Sequence, residues 1–493
     1  MPSDLTAATP RAGWNFDNSF ARLPDPLYVR LRPVPVRAPR LVVFNRPLAE
    51  ALGLDAEALA GDAGAAIFAG NRLPQGAEPL AQAYAGHQFG HFTMLGDGRA
   101  ILLGEQLTPA GERFDIQLKG SGPTPFSRGG DGRAALGPML REYIVSEAMH
   151  ALGIPSTRSL AVAVTGEPVD RETALAGAVL TRVAASHIRI GTFEYLASRG
   201  DQAGLRTLAD YTLRRHYPSL SAAGNPYLAL FSAVMERQAT LLARWLHVGF
   251  VHGVMNTDNM AISGETIDYG PCAFMDAYDP ATVFSSIDLE GRYAYENQPN
   301  IAQWNLARFA ETLLPLIHAD QKQATLLAEE AVRAFPDLFR RAWFSGMRAK
   351  LGLFTEEDAD QSLIKDLLTA MQESHADYTA TFSALAPETP GQPFALNGPG
   401  FPEWLGRWQA RLARQPEPFA AAQALMRAHN PQVIPRNHLV EEALAAATER
   451  GDFAVLERLL AVLARPYEVS PEHSAYCLPP APSSQPYRTF CGT

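Results

Sequence analysis

The chain has 493 residues and a formal net charge of −10 at pH 7 with histidine counted as neutral. Its hydrophobic fraction of 47% and charged fraction of 19% are ordinary for a globular protein. This length exceeds the needs of one small core and predicts a two-lobed domain or two to three packed subdomains. The acidic balance argues against a nucleic-acid partner, because a phosphate-binding surface usually leaves a basic footprint.

The sequence does not have the pattern of a membrane or secretory protein. No apolar run is long enough to span a bilayer, and the N-terminal residues lack the basic start and apolar stretch of a secretory signal. The three cysteines are too few for a disulfide framework and include no Cys-x-x-Cys pair. We therefore expect a cytoplasmic protein without a membrane partner.

The first half of the chain predicts a wrapping segment, then a hairpin, a helix and further strands. Residues 1–80 are rich in Pro, Arg and Ala, and we expect them to wrap around the rest of the protein. Apolar residues at helical spacing lie between Pro138 and Gly153, which favour the start and the end of a helix. Strand-like composition marks four further segments: residues 100–107, 114–118, 161–164 and 178–183.

The second half has a mostly helical pattern. Residues 227–248 have a strong helical period and lead into a polar loop. Short strands are expected at residues 260–263 and 266–270, and residues 300–385 have the pattern of amphipathic helices. A Pro- and Gly-rich joint follows near residue 390, and then come more helix and a Pro/Ser-rich tail that we expect to be mobile.

Motifs of the first half resemble parts of a protein-kinase nucleotide site. A Gly-Asp-Gly turn at Gly96 and Gly98 opens a strand, Lys119 ends the next strand, and Glu142 lies in the helix that follows. Glycine lets backbone N–H groups approach phosphates. Lys119 would supply positive charge, and the carboxylate of Glu142 would hold that ammonium group in place.

Two further motifs complete the set. HGVMNTDN begins at His252, and TIDYG follows a few residues beyond it. Kinases place a metal-binding asparagine and a metal-binding aspartate in the matching motifs. Asn259 and Asp268 stand there, and their hard oxygen atoms suit Mg²⁺ or Mn²⁺ chelated by a triphosphate. Each motif alone is common in unrelated proteins, but the ordered set predicts a kinase-like nucleotide site.

One departure from the kinase pattern changes the expected chemistry. When His252 is aligned with the start of the kinase catalytic loop, the position of the catalytic aspartate falls on Val254. A carboxylate stands instead at Asp258, beside Asn259. These residues leave two interpretations open: an inactive kinase relative, or an enzyme that performs a different reaction with a shifted base.

Longer stretches carry a more specific resemblance. The segments YAGHQFG, FDIQLKGSGPTPFSRGGDGRA, LREYIVSEAMHALGIPSTRSL, HGVMNTDNM and IDYGPCAFMDAY are similar to the selenoprotein O family, and the C-terminal Cys-Gly-Thr also fits. The resemblance covers nearly the whole chain. It implies a kinase-like fold that binds ATP in reversed orientation and transfers AMP to Ser, Thr or Tyr of other proteins. UMP transfer from UTP is implied for bacterial members.

The resemblance also implies roles for individual residues. It places the proton acceptor on Asp258 and the metal ligands, for Mg²⁺ or Mn²⁺, on Asn259 and Asp268. The β- and γ-phosphates would lie deep, where Arg182 and Arg189 can neutralise the leaving pyrophosphate. The implied nucleotide-binding positions are Gly96, Gly98, Arg99, Lys119, Asp131, Gly132, Arg182, Arg189 and Asp268.

Two cysteines are candidates for redox control. Cys272 follows Asp268 in the segment that corresponds to a kinase activation loop, and Cys491 lies on the tail. The resemblance implies a reversible Cys272–Cys491 disulfide that tethers the tail over the site. The alternative is that Cys272 is a small buried residue and Cys491 an exposed thiol. Cys477 has no predicted role.

The predicted architecture is a two-lobed, protein-kinase-like α+β fold. Its expected parts are the N-terminal wrapping segment (1–80), an N-lobe (81–195), a C-lobe (196–390) and a helical C-terminal extension with the mobile tail (391–493). The predicted function is protein adenylyltransferase, with ATP and protein substrates as partners. Two alternatives are a kinase that transfers the γ-phosphate and an inactive nucleotide-binding scaffold.

Overall fold

The computed structural model describes residues 12–386, 396–481 and 487–490. It is a mixed α+β structure, as predicted, with most strands in the first part of the chain and most helices in the second. In these described ranges, no helix combines the length and the hydrophobicity that crossing a bilayer requires.

The strands of the described chain lie mainly before residue 185. They are β1 (Tyr28–Arg30), β2 (Arg40–Phe44), β3 (Leu80–Gln82), β4 (Ala85–Gln88), β5 (His91–Met94), β6 (Ala100–Leu107), β7 (Arg113–Lys119), β8 (Ala134–Ala135), β9 (Arg158–Asp170), β10 (Ala174–Ala184), β11 (Phe250–Val251) and β12 (Ala273–Phe274). The main sheet is antiparallel in the order β1-β3-β6-β7-β10-β9-β2, with β8 paired to β10. The pairs β4–β5 and β11–β12 form separate two-stranded sheets.

The helices of the described chain fall into three groups along the sequence. The first group is α1 (Arg46–Ala51), α2 (Ala56–Leu59), α3 (Asp62–Phe68) and α4 (Leu136–Ala151). The second is α5 (Ile190–Ser198), α6 (Gln202–His216), α7 (Pro226–His247), α8 (Gln298–Ile317), α9 (Gln321–Arg333), α10 (Phe335–Lys350), α11 (Asp360–Glu373) and α12 (Tyr378–Ser383). The third is α13 (Phe401–Leu412), α14 (Phe419–His429), α15 (Asn437–Arg450), α16 (Ala454–Leu463) and α17 (Ser474–Cys477).

The central strands are apolar on both faces because the sheet separates two hydrophobic cores. In β9, Ala161 and Ala163 belong to a core with α1–α3, whereas Val162 belongs to a core with α4, α15 and α16. The alternation repeats in β10, where Val179 packs on the first side and Leu180 on the second. A sheet covered on both faces explains the nearly continuous hydrophobic runs of these strands.

The helical part is built around α7, which packs against α8 and α10. The Asn225 side chain caps this helix by accepting a hydrogen bond from the Leu228 amide at 3.2 Å, and Pro226 occupies the first turn. Buried residues of α5 to α14 join one large core. The predicted helix at residues 227–248 is confirmed within one residue at each end.

The predicted strands at residues 260–263 and 266–270 are wrong. Ala261 and Thr266 make only isolated bridges, to Arg189 and Ser156 respectively. The chain turns at Gly264, whose φ of +82° prevents a continuous strand. The ladder of this region forms instead between β11 and β12, which flank the turn.

Candidate active site

A cleft of about 340 Å³ brings together residues that are far apart in the sequence. Predicted site residues in its lining are Gly96, Gly98, Arg99, Lys119, Asp131, Gly132, Arg182, Arg189, Asp258 and Asp268. In total, seven basic side chains and four carboxylates line the cleft. It is therefore locally cationic, in a chain whose net charge is −10.

Asp268 is surrounded by three cations at the floor of the cleft. Its carboxylate lies 3.2 Å from Lys119 Nζ, 2.6 Å from Arg182 Nη2 and 2.9 Å from Arg189 Nη1. The side chains of Arg182 and Arg189 are only 2% and 3% exposed. Lys119 ends β7, Arg182 lies in the neighbouring β10, and Arg189 precedes α5, so the sheet and one helix terminus position the three charges.

Helix α4 brings a second carboxylate to these cations. Glu142 Oε2 lies 2.6 Å from Lys119 Nζ, and Glu142 Oε1 accepts hydrogen bonds from Arg182 Nη2 at 2.6 Å and Nε at 2.9 Å. Glu142 does not line the cleft itself. The structure therefore places Glu142 against Lys119, the partner that the kinase pattern suggests, and adds Arg182 as a second partner.

The floor remains charged at neutral pH. Burial alone would raise the pKa of Asp268, but Arg182, Lys119 and Arg189 hold this pKa well below its usual value. Burial opposes ionisation of Glu142 as well, and Arg182 and Lys119 lower the Glu142 pKa. Both carboxylates are thus ionised, and the three cations leave an excess of one positive charge. A buried positive charge of this kind favours a bound anion such as phosphate.

The Gly-rich turn is shaped by a neighbouring aromatic ring as well as by its own flexibility. A Cβ on Gly96, whose φ is +134°, would lie 2.4 Å from Phe126 Cγ, and a Cβ on Gly98 would lie 2.9 Å from the Phe126 carbonyl oxygen. Ser127 Oγ donates a hydrogen bond to the Gly98 carbonyl oxygen. The loop after β7 therefore closes on the glycine turn, and Phe126 becomes a lining residue that the sequence analysis did not identify.

Asp258 lies in the same cleft with a raised proton affinity. Burial raises the pKa of Asp258 to about 7. Within the described part of the chain, its Oδ1 atom has no hydrogen-bond partner. Arg189 Nη1 donates at 2.8 Å to the backbone carbonyl oxygen of Asp258 and so connects this residue to the cationic floor. A buried carboxylate with a pKa near neutrality is suited to accept a proton from a hydroxyl group.

A glycine of β4 makes room for this carboxylate. A Cβ on Gly86 would lie only 2.1 Å from Asp258 Oδ1, so no larger side chain fits without displacing the aspartate. The adjacent His87 amide donates a hydrogen bond to Thr257 Oγ1 at 2.7 Å, which fixes β4 on the loop that carries Asp258. The sequence analysis used the segment YAGHQFG only for the family resemblance. Its Gly86 could have indicated that another part of the chain approaches the backbone closely at this position.

Asn259 and Asp268 can serve as metal ligands only together with ligands from another source. Asn259 Nδ2 donates to the Val254 carbonyl oxygen at 2.9 Å, which orients the amide and leaves Oδ1 for a cation. Among the described residues, no group of three or more His, Cys, Asp or Glu side chains could hold a metal. The residues fit a divalent cation whose remaining ligands come from nucleotide phosphates, as is usual for Mg²⁺.

The rim of the cleft carries a second basic group. Arg171 Nη1 lies 2.9 Å from Asp131 Oδ2, and the Arg133 amide donates to Asp131 Oδ1 at 2.9 Å. Asp131 thus positions basic neighbours at the rim. Arg171 and Arg133 line the cleft but were not predicted. Arg171 lies in the turn between β9 and β10, outside the motifs, and Arg133 lies in the segment RGGDGRA, of which only Asp131 and Gly132 were assigned to the site.

The predicted disulfide partners are only partly described. Cys272 is buried, whereas Cys491 lies outside the described residues, so the pair stays a prediction. The described tail ends near Cys272, because Thr489 Oγ1 donates at 2.7 Å to the carbonyl oxygen of Pro271. Cys477 Sγ donates to the His473 carbonyl oxygen at 3.4 Å within a helical turn.

A family model and several related proteins match most or all of this chain. A family model described as protein adenylyltransferase SelO matches residues 10–464. The protein nucleotidyltransferase YdiU of Syntrophotalea carbinolica is 67% identical over 492 residues, which cover 100% of this chain and 99% of that protein. Proteins of the same name from Alkaliphilus metalliredigens and Geobacillus kaustophilus are each 63% identical over 98% of this chain, and the matches cover 98% and 100% of those proteins. The resemblance expected from the motifs is thereby confirmed, and the chain belongs to the SelO family of protein adenylyltransferases.

Proposed function

We propose that this protein transfers AMP from ATP to Ser, Thr or Tyr hydroxyl groups of other proteins and releases pyrophosphate. Membership of the SelO family supports the reaction class. The observation that carries the proposal is the cluster of Lys119, Arg182 and Arg189 around Asp268 at the floor of a cleft that also contains Asp258. In the same reaction, UTP would supply UMP.

The buried cations favour attack at the α-phosphorus. Arg182 and Arg189 are almost fully enclosed, so the phosphates that they bind must also lie deep in the cleft. Pyrophosphate gains negative charge as it leaves, and preorganised cations stabilise that charge most effectively where water is excluded. With the β- and γ-phosphates at the floor, the α-phosphorus would lie nearer the protein surface and the acceptor.

Asp258 acts on the acceptor in this scheme. The acceptor oxygen attacks the α-phosphorus, the bond from that phosphorus to the bridging oxygen of pyrophosphate breaks, and the hydroxyl proton passes to Asp258. The products are an AMP-modified protein and pyrophosphate. The pKa of Asp258, raised by burial to about 7, allows it to take up this proton and to release it to solvent.

We propose that Asn259 and Asp268 hold Mg²⁺ or Mn²⁺ together with the triphosphate. A divalent cation in this position would neutralise phosphate charge and orient the nucleotide. The residues supply oxygen ligands only, which suits these hard cations. The rim residue Arg99 and the backbone around Gly132 would contact the outer part of the nucleotide.

The proposed architecture is kinase-like. Strands β6 to β10 of the main sheet and α4 would form an N-lobe at residues 81–195, and α6 to α12 would form a C-lobe at residues 196–390. The contact of Lys119 with Glu142 and the floor position of Asp268 support this correspondence. Residues 1–80 and 391–493 would then be additions to the two lobes. A cytoplasmic location remains part of the proposal.

We also propose that Cys272 and Cys491 form a reversible disulfide when an oxidant such as hydrogen peroxide accepts their two electrons. The contact of Thr489 with Pro271 supports the proximity of the tail to Cys272. Mild peroxide treatment should produce a Cys272–Cys491 crosslink in a non-reducing peptide map. Absence of that peptide after treatment would exclude the disulfide.

The reaction can be tested by mass spectrometry of the purified chain after incubation with ATP and Mg²⁺ or Mn²⁺. We expect self-modification by the mass of an adenylate group. The variant Asp258→Asn should lose roughly 10²–10⁴-fold in transfer rate while it still binds ATP, because the base acts on the acceptor. Addition of a phosphate mass alone would contradict the proposal and support a kinase. ATP binding with no added mass would support an inactive scaffold.

A further inference from the structure

The hairpin of β4 and β5 stands apart from the main sheet and lies on the loop that carries Asp258. Its two strands pair only with each other in the described chain. Two contacts attach it to the loop: the His87 amide donates to Thr257 Oγ1 at 2.7 Å, and the Phe89 amide donates to Asn256 Oδ1 at 3.0 Å. Tyr293 donates to the same Asn256 oxygen at 2.6 Å. The hairpin is therefore held in a fixed position beside Asp258.

The two faces of this hairpin have different roles. Directly opposed residues of an antiparallel pair share a face, so His87 and Phe92 lie on one face, which we call the anchoring face. His87 Nδ1 lies 2.6 Å from Glu194 Oε1, and its ring packs edge-on against Trp304 with ring centroids 5.3 Å apart. This face secures the hairpin to the helical part of the protein.

The opposite face, which we call the inner face, is directed at the reaction centre. It contains Gly86 paired with Thr93, and Gln88 paired with His91. Gly86 is the residue that packs on the Asp258 carboxylate, and Gln88 lines the nucleotide cleft. His91 is exposed, and Gln88 and Thr93 are partly exposed. The inner face thus extends from Asp258, the proposed base, to the solvent-exposed His91.

The chemistry of the inner face suits a polypeptide. It offers an amide, an imidazole and a hydroxyl group, and it carries no Lys, Arg, Asp or Glu. Uncharged donors and acceptors of this kind match the amide groups of an extended chain, whereas a phosphate or a highly charged segment would need opposite charges.

We propose that the inner face of the β4–β5 hairpin is the docking surface for the acceptor protein, and that it receives an extended, weakly charged segment carrying the reactive hydroxyl. A segment lying across Thr93 and His91 would place a Ser, Thr or Tyr side chain over Gly86 and next to Asp258. The absence of a side chain at Gly86 leaves room there for the Asp258 carboxylate. This inference rests on the proposed AMP transfer and specifies which surface selects its protein substrate.

The test uses variants of the full chain that alter the inner face without touching the nucleotide floor. The double variant His91→Ala/Thr93→Ala removes two inner-face side chains. The matched control is Met94→Ala, which lies on the same strand but on the other face and is 45% exposed. The probe is a pool of uncharged dodecapeptides with one central Ser, Thr or Tyr, together with ATP labelled in the α-phosphate. Thermal melting confirms that each variant is folded.

The double variant should raise the KM for peptide about tenfold and leave the Kd for ATP and the rate at saturating peptide unchanged. The Met94→Ala control should match the unmodified protein in the KM for peptide, the Kd for ATP and the rate at saturating peptide. An unchanged peptide KM in the double variant would overturn the proposal, as would a parallel loss of ATP affinity. If the unmodified chain labels itself but no peptide, the docking proposal fails and the transfer reaction stands. If neither chain nor peptide is labelled, the transfer reaction itself fails.

Discussion

At the scale of single residues, the base proposed for the reaction depends on a glycine. A methyl group on Gly86 would meet Asp258 Oδ1 at 2.1 Å, so Gly86→Ala should push the carboxylate away from the acceptor. A displacement of about 1 Å can cost roughly 100-fold in rate, and we expect a loss of this size with ATP affinity unchanged. Steady-state transfer rates and ATP titration measure the two effects.

The control for this prediction is a glycine with free space around it. A Cβ on Gly137 would lie 3.7 Å from Thr448 Cγ2, an ordinary contact, so Gly137→Ala should keep full activity. Equal activities for Gly86→Ala and Gly137→Ala would show that the position of Asp258 does not limit transfer.

A lysine remote from the cleft provides a test of buried charge. Lys350 is 2% exposed, and its ammonium lies over the Phe382 ring at 4.1 Å and the Tyr378 ring at 5.5 Å. Burial lowers the pKa of Lys350 to about 7. The unfolded chain therefore binds a proton that the folded chain does not bind between about pH 7 and the ordinary lysine pKa. The free energy of unfolding must therefore rise with pH over that range. Below about pH 7, Lys350 is charged in the folded state too, and the buried charge destabilises the protein to its full extent.

The variant Lys350→Met should remove this cost. We expect it to raise the free energy of unfolding by about 1–4 kcal/mol at pH 6.5 and by clearly less at pH 10. Urea denaturation of both proteins at the two pH values measures the difference. A stabilisation that is equal at both pH values, or a destabilisation at pH 6.5, would contradict the assignment of a charged Lys350 in the folded state.

At the scale of elements, α4 connects the active site to the C-terminal helices. Its Glu142 contacts the floor, while the preceding Arg141 lies 3.0 Å from Glu441 of α15 and donates at 2.9 Å to the Cys272 carbonyl oxygen. The Arg141 guanidinium also lies over the Tyr487 ring, 5.9 Å from its centroid. Three separate segments thus meet at one side chain of α4.

Loss of Arg141 should weaken this connection. We expect Arg141→Met to lower the free energy of unfolding by about 1–3 kcal/mol, because the buried Cys272 carbonyl oxygen loses its donor. Transfer should also slow, since Glu142 is the next residue of the helix. A suitable control is Arg244→Met, which removes an exposed hydrogen bond to the Gly153 carbonyl oxygen. If the two variants have the same stability and activity, α4 does not depend on this contact.

Elements with a strong local pattern could be predicted, and elements formed by distant contacts could not. Residues 100–107 coincide with β6 because the strand pattern and the hairpin loop lie in the same short stretch. The hairpin of β4 and β5 was missed, because its turn uses Phe89 and Gly90, both with positive φ, and Phe is not a typical turn residue. Its position is set by contacts with Thr257 and Asn256, more than 160 residues away in the sequence.

The same distinction holds for the candidate site. Motif order was sufficient to predict that Lys119 and Asp268 belong together, since each lies in a recognisable motif. The rim residue Arg171 and the aromatic Phe126 have no local signal, and only the folded chain brings them to the cleft. The contact of Gly86 with Asp258 likewise depends on packing between the hairpin and the loop that carries Asp258.

At the scale of the whole molecule, charge is distributed unevenly. The chain is acidic overall, yet the cleft has more cations than carboxylates, and its most buried cations lie at the floor. The C-terminal helices α15 and α16 cover α4, and the described tail pairs with the segment after Asp268 through a bridge between Ser285 and Thr489. The last part of the chain therefore packs against α4 and the segment after Asp268 from the outside, while the cleft remains open for an anionic substrate.

The central claim is that the α-phosphorus of ATP is attacked, and label transfer tests it most directly. The intact chain is incubated with a metal ion and with ATP labelled in either the α- or the γ-phosphate. Because we propose that the cations at the floor hold the β- and γ-phosphates, we predict that α-label becomes attached to protein and that γ-label leaves in pyrophosphate. Protein that carries γ-label and no α-label would contradict the account and identify the enzyme as a kinase.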